Sequence, residues 1–514
     1  MRLSSTSRFV FLSSVCLSVA ALGCGDDEDD AGTSSGGSGG SGGATTPAGA
    51  GPQSSSTTVG GMGGMGPGGN GAGGSGAGGA GPGNVYEVAS SLADYSVLVA
   101  AVDKAGLAPA LQDPAATLTV FAPDNDAFSA LLAAVGATSL DDLSADQLRP
   151  ILAYHVLGVT VDAAAATTAA GNGDTVTGLG GTIQLGLDGT TIQLDATAAV
   201  EAADVPASNG IIHGIDAVVL PSVTDVVVSD PNFSSLEAAL GVADQSSNSP
   251  GLVAALDDND GTFTVFAPTD TAFAGLVTAL SASPSTGIAA LTDFAPHQLL
   301  PVIRYHYVAG AAVTSGTLAS GPVTTAGGIA TADTSNGVVI DAATVQTADL
   351  YTANGVIHVI DSVLLPSITD IVTTAPEFSE LASAIAGADG DANTTPKVGA
   401  ALNVGAATGS YTLFAPDDAA FGNITVPVVP QAVTNILLYH VLNEADPIYA
   451  ADALALGGPT TFGTLLNENL AVAGGSGVTV VDGTSTLTNV GDADYFAENG
   501  VIHRVDKVLL PPVQ

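Results

Sequence analysis

Apolar and polar positions alternate with period two in short bursts along this chain, and one burst occurs three times. It reads TLTVFAPDNDAF from Thr117 to Phe128, TFTVFAPTDTAF from Thr262 to Phe273, and SYTLFAPDDAAF from Ser410 to Phe421. Alternation in a segment rich in Thr, Val and Phe predicts a half-buried strand. Pro123, Pro268 and Pro416 have no N–H for a ladder and mark the strand's end. Asp124, Thr269 and Asp417 follow, each a good N-cap for a helix. A carboxylate there also suits the positive helix end. With that cap, Pro123 and Phe128 fall at N′ and N4, as in a hydrophobic staple. Each burst is therefore a strand, a corner and a helix start, and nothing in it is chemically reactive.

Four further features accompany each burst. An opening segment starts at Asn84, Ser222 and Ser367: a short apolar piece, a loop, then apolar residues at helical spacing, as in Phe378, Leu381 and Ile385. After the burst an apolar run ends in Tyr154-His155, Tyr305-His306 or Tyr439-His440. A stretch rich in Thr, Gly and Val follows and reads as hairpins, with Gly189 and Gly483 in LDGT and VDGT at turns. Each copy closes with NGIIHGIDAVVLP (Asn209 to Pro221), NGVIHVIDSVLLP (Asn354 to Pro366) or NGVIHRVDKVLLP (Asn499 to Pro511). Asn-Gly supplies positive φ for a tight turn, and the residues after it alternate as a strand. Pro221 and Pro366 are each followed at once by the next copy. Extended sequence on both sides of Pro221 and Pro366 leaves few accessible angles, which predicts a stiff short rod.

The length of 514 residues suits about three domains. Val120 to Val265 is 145 positions and Val265 to Leu413 is 148. The expected domains are 85–221, 222–366 and 367–514. Tryptophan is absent, so the cores are aliphatic and rich in Ala. Eight basic residues stand against 50 acidic ones, a net charge of −42. Such a surface repels nucleic acid and anionic lipid.

The N-terminus reads as an address. Arg2 and Arg8 precede an apolar run from Phe9 to Leu22 with a signal peptide's layout, residues 1–23. The run ends in Ala21-Leu22-Gly23-Cys24, similar to a bacterial lipobox, with Ala21 where leucine is usual. Cys24 is the expected lipid anchor; the alternative is plain secretion with a free Cys24. The only other cysteine, Cys16, lies inside the signal, so the processed chain has no internal disulfide. Residues 24–84 open with Asp26, Asp27, Glu28, Asp29 and Asp30 and continue in Gly, Ser, Ala and Thr, a disordered tether with a span of roughly 40–45 Å.

The burst, the Tyr-His pair and the closing segment, in that order in all three copies, resemble the fasciclin-like (FAS1) domain from about Val85 to Gln514. The resemblance implies an α+β fold, each domain a β-sandwich-like wedge flanked by helices. It also implies cell adhesion and matrix interaction. The expected partner is an envelope or matrix protein or a polysaccharide, with no nucleic acid and with membrane contact only through the N-terminal lipid. The alternative is an envelope lipoprotein binding a small molecule or polysaccharide. The third copy departs: Val120 to His155 spans 35 positions and Val265 to His306 spans 41, but Leu413 to His440 only 27, so a helix is shortened there. The residues flanking each Tyr-His pair do not support integrin-type recognition.

Six of the seven histidines fall in these motifs: His155 and His213, His306 and His358, His440 and His503. Two per domain can begin a metal site or an acid–base pair. Their apolar neighbours favour a neutral structural ring instead, which needs one donor and one acceptor. The only acid repeating beside them, Asp216, Asp361 or Asp506, points to the opposite strand face. No nucleophile elbow of the G-x-S-x-G kind occurs in any repeat, and no phosphate loop is present. Asp389 to Asn393 opens like a calcium loop but lacks the later glycine and glutamate. No catalytic residue, metal or cofactor is expected.

Overall fold

The computed structural model describes residues 82–248, 251–392, 394–402, 410–422, 424 and 429–512. The signal sequence, Cys24, nearly all of the tether, and Asn393 of the calcium-like loop lie outside the described residues.

The three bursts form strands Leu118–Pro123, Phe263–Pro268 and Ser410–Pro416. Each runs between two neighbours. One is the short strand after the Tyr-His pair, antiparallel; the other is the closing strand Gly210–Ile215, Gly355–Ile360 or Gly500–Val505, parallel. This central place corrects the half-buried expectation, because every residue of Leu118–Pro123 is buried. Alternation instead sorts side chains between two cores. Leu118, Val120 and Ala122 join a helix-lined cluster with Leu98, Phe128 and Ile151. Phe121 faces the other way, into a cluster with Ile183, Leu185, Ile192 and Leu194 of the hairpins. The second and third domains divide their cores likewise.

The corner behaves as read. Asp124, Thr269 and Asp417 accept from Ala127, Ala272 and Ala420 and cap the next helix. That helix has ten residues in the first domain, twelve in the second, and only four, Asp418–Phe421, in the third. The first two domains each carry one seven-stranded sheet, while the third divides into two four-stranded sheets.

The opening segments are helices: Val85–Ser90, Val223–Ser229 and Ile368–Thr374. The chain after Pro221 and Pro366 is therefore helical, which corrects the extended reading. Ser222 and Ser367 cap these helices through reciprocal bonds with Asp225 and Asp370. The Asn of each closing turn completes them: Asn209, Asn354 and Asn499 accept from the N–H of Val85, Val223 and Ile368 at 2.9 Å. These three asparagines are buried, and none has positive φ. The next residue is the glycine: Gly355 and Gly500 take the expected positive φ, and close approach adds a second reason. A Cβ at Gly210, Gly355 or Gly500 would overlap the carbonyl of Leu118, Phe263 or Tyr411 on the parallel strand.

Candidate functional site

The Tyr-His pairs end helices Ala145–Tyr154, Pro296–Tyr305 and Pro430–Tyr439. Helix ends leave carbonyls without partners, and the histidine takes one of them. Nδ1 of His155, His306 and His440 donates to the carbonyl of Ile151, Val302 and Ile436 at 2.7–2.8 Å. Nε2 accepts from the N–H of Val219, Leu364 and Leu509, in the segment after the closing strand. Burial pushes each of these imidazoles down to about 4, so the rings are neutral at physiological pH. The tyrosine beside each reaches the hairpins. Tyr154, Tyr305 and Tyr439 donate to the carbonyls of Thr182, Ile329 and Asn469, and burial raises each phenol.

The closing-strand histidines carry the other tautomer. Nε2 of His213, His358 and His503 donates to the carbonyl of Val161, Val313 and Ile448. Nδ1 accepts from the N–H of Asp204, Asp349 and Asp494. Each of these aspartates sits at positive φ, where the bonded ladder to the closing strand is interrupted in the first two domains. The carboxylates of Asp349 and Asp494 come within 3.8 and 3.7 Å of Nδ1. An Nδ1 already accepting an N–H is unprotonated, so these contacts are not ion pairs. Burial holds His358 and His503 below the ordinary imidazole range, although the neighbouring carboxylate pulls the other way.

Sequence reasoning missed a partner in this arrangement. Thr119, Thr264 and Thr412 of the central strands are buried, and each hydroxyl accepts from the N–H of Val161, Val313 or Ile448. One loop residue is thus held through its N–H by a threonine and through its carbonyl by a histidine. The signal was present: threonine recurs at the third position of each burst. Asp216, Asp361 and Asp506 instead accept from Ala199, Thr344 and Asn489 on the neighbouring strand. All six motif histidines have both nitrogens engaged by backbone. No ring is left to bind a metal or move a proton, and no metal-holding cluster occurs among the described residues.

The copies also vary at the domain junctions. Both share one lock. The carboxylates of Asp225 and Asp370, each capping its own helix, also accept from Thr182 and Ile329 of the preceding domain at 3.0 Å. Gly181 and Gly328 make room, since a Cβ on either would overlap that carboxylate. A Cβ on Gly180 or Gly327 would overlap the backbone of Tyr154 or Tyr305. The aligned residues of the third domain are Asn467 and Glu468, counted back from the Tyr439 partner Asn469.

Around that lock the two junctions differ. At the second, Phe294 meets Phe496 edge-on at 5.7 Å, and His297 packs on Tyr495 at 4.8 Å while bonding the carbonyl of Ala493. At the first, the aligned residues are Leu143, Tyr351, Asp146 and Leu350. Gln147 donates to the carbonyls of Ala348 and Asp349, and a cleft of about 500 Å³ stays open beside Asp146, Arg149, Asn232, Gln346 and Leu350.

Comparison with known proteins names the class. The Fasciclin domain family matches residues 93–221, 238–366 and 376–511, and the chain belongs to that family. It is 29% identical to transforming growth factor-beta-induced protein ig-h3 of Sus scrofa over 268 residues, 49% of this chain and 35% of that protein. It is 25% identical to human periostin over 415 residues, 76% of this chain and 43% of that one. The chain thus spans less than half the length of these animal relatives. A single domain's length, 137 residues, is 39% identical to protein sll1483 of Synechocystis, covering 27% of this chain and 73% of that protein. A solved domain pair from the insect cell adhesion molecule fasciclin I aligns with a TM-score of 0.26 at 20% identity, over 53% of this chain and 94% of that one.

Proposed function

We propose that this chain is an extracytoplasmic adhesion or matrix-interaction protein, held to a bacterial envelope by a lipid on Cys24 and presenting three fasciclin domains beyond a polar tether. The carrying observation is the repeated lock. Asp225 and Asp370 fasten each domain to its predecessor by the same bonds, so the domains keep a fixed mutual placement. Fixed spacing lets weak contacts add by effective concentration. The family's association with adhesion supports the reading, and so does a set of motif histidines fully engaged with backbone. The partner is an envelope or matrix protein or a polysaccharide. Its recognition does not rest on one repeated apolar patch, because the exposed large apolar residues, such as Val159, Val228 and Ile329, fall at unaligned positions.

One experiment tests anchor and adhesion together. Cells carrying the wild-type chain should bind a matrix-coated surface, and Cys24→Ser should release the protein from the membrane fraction and abolish that binding. Release without loss of binding refutes adhesion through this protein, and membrane retention of the Ser variant after a salt wash refutes the anchor. The second reading, a small-molecule or polysaccharide-binding lipoprotein, is favoured by the cleft at the first junction.

A further inference from the structure

The first domain holds an apolar cavity of about 70 Å³, walled by the helices at its opening, the central strand and the Tyr-His helix. Its only titratable lining groups are Tyr86 and His155; the imidazole is already bonded at both nitrogens, and the Tyr86 hydroxyl bonds Asp103. Such a cavity stays dry and takes apolar ligands. In the second domain the aligned space is about 20 Å³. The reason lies in the residues: Val227, Leu240 and Tyr307 stand where the first domain has Ala89, Val102 and Val156. Arg304, aligned with Ala153, bonds the carbonyl of Asn248 beside it.

Leu107, Ala153 and Leu179 border this cavity, and the same three residues border the 500 Å³ cleft between the first and second domains. The cleft is of ligand size. Its lining mixes apolar Pro150, Phe233 and Leu350 with hydrogen-bonding Asn232, Gln346 and Thr347. Its charges are one guanidinium and two carboxylates. Arg149 is already paired with Asp146 at 3.1 Å, and Asp230 is bonded by Asn232. An anionic head would meet that carboxylate excess, and a cationic head would meet Arg149. An uncharged head rich in hydroxyls meets donors and acceptors at no electrostatic cost. Leu179 is 53% exposed, so its side chain can swing aside between the two spaces.

We infer that the first junction binds one uncharged amphiphile of the alkyl-glycoside class. The sugar-like head lies in the cleft, and the end of a slim alkyl chain passes Leu107, Ala153 and Leu179 into the first domain. This deepens the second reading above and is independent of the adhesion reading, so either can fail alone.

The probe is n-octyl glucoside below its micellar concentration, titrated into the full chain by calorimetry, with free glucose and octanoate as comparisons. Binding should be one-to-one, with glucose and octanoate each at least tenfold weaker. Val156→Tyr and Ala153→Arg place in the first domain what the second already accommodates, and each should weaken binding at least tenfold. Asp146→His with Leu350→Tyr fills the cleft as the second junction does, and should also weaken it. A thermal midpoint near wild type certifies that a variant is folded. If a variant does not fold, the other two carry the test. The inference is overturned if octyl glucoside fails to bind wild type, if folded variants bind unchanged, if glucose binds equally well, or if octanoate binds more tightly.

Discussion

The two domain junctions are built from one plan and finished differently. In both, a capping aspartate at the start of a domain reaches back to a backbone N–H of its predecessor, and Gly181 or Gly328 lets it approach. The second junction then fills with Phe294, His297, Tyr495 and Phe496, whereas the first keeps Asp146 and Leu350 and an open cleft. The backbone lock fixes where domains meet. The side chains around it decide whether the meeting surface is core or binding space. Repeats that align this well are thus unequal where they touch.

The largest expected effect lies in the filled junction. Phe496→Ala removes a ring that is 4% exposed and packed into the second domain's core, a loss of about 3–5 kcal/mol. Tyr351→Ala, the aligned change at the first junction, removes a half-buried ring and should cost clearly less. Denaturant unfolding of both variants decides this, and equal losses would break the contrast.

The lock itself should be symmetric. Gly181→Ala and Gly328→Ala each force a Cβ against a carboxylate at positive φ, with a loss of about 2–3 kcal/mol at either site. A thermal midpoint that falls for one and not for the other would show that the junctions do not share it.

Much of each domain was legible, because its determinants are local. The strand, corner and cap of TFTVFAPTDTAF lie within twelve residues, and alternation separates Phe121 from Val120. What was illegible depends on distant partners. Three consecutive β-branched valines, Val226 to Val228, favour extended backbone on propensity alone. The helix Val223–Ser229 forms because Ser222 caps it and Asn354, 131 residues away, takes its first N–H. Asn354 does lie in the turn that Asn-Gly predicted, but its capping bond to Val223 and the distant parallel strand that crowds Gly355 were not legible. Gly328 had no local meaning, because the aspartate it admits, Asp370, belongs to the next domain. The histidines read as structural from their apolar neighbours, but their opposite tautomers follow from which backbone groups the fold brings to each nitrogen.

Those histidines supply a control that should ignore the junctions. His306→Ala loses two buried hydrogen bonds and leaves a small cavity, about 1–3 kcal/mol. His155→Ala and His440→Ala should do the same in their own domains. The pH dependence has a definite sign. The folded pKa of about 4 lies below the ordinary 6.5, so each ring's contribution is fully present above pH 6.5 and is lost as pH falls toward 4. Buried carboxylates such as Asp225 and Asp341 are raised by burial and oppose this slope. The histidine part is therefore the difference between wild type and His306→Ala measured across that range. An acid slope unchanged by the substitution would mean that His306 is not buried neutral.

The smallest effect is the most direct test of the comparison, because it converts one junction into the other. Asp146→His with Leu350→Tyr gives the first junction the pair that packs at 4.8 Å in the second. Gln147 already bonds the carbonyl of Ala348, the residue aligned with Ala493, so the backbone target for the new imidazole is in place. The substitution gives up the Asp146–Arg149 contact, an exposed ion pair worth little in water. It gains an aromatic contact worth about 0.5–1.5 kcal/mol beyond burial. The net is a stabilisation of about 1 kcal/mol, read as a raised denaturation midpoint with an unchanged slope. The two substitutions touch, so their effects should exceed the sum of the single changes. A double variant no more stable than wild type would mean that the backbones at the two junctions differ, and that the cleft is set by the lock rather than by the side chains around it.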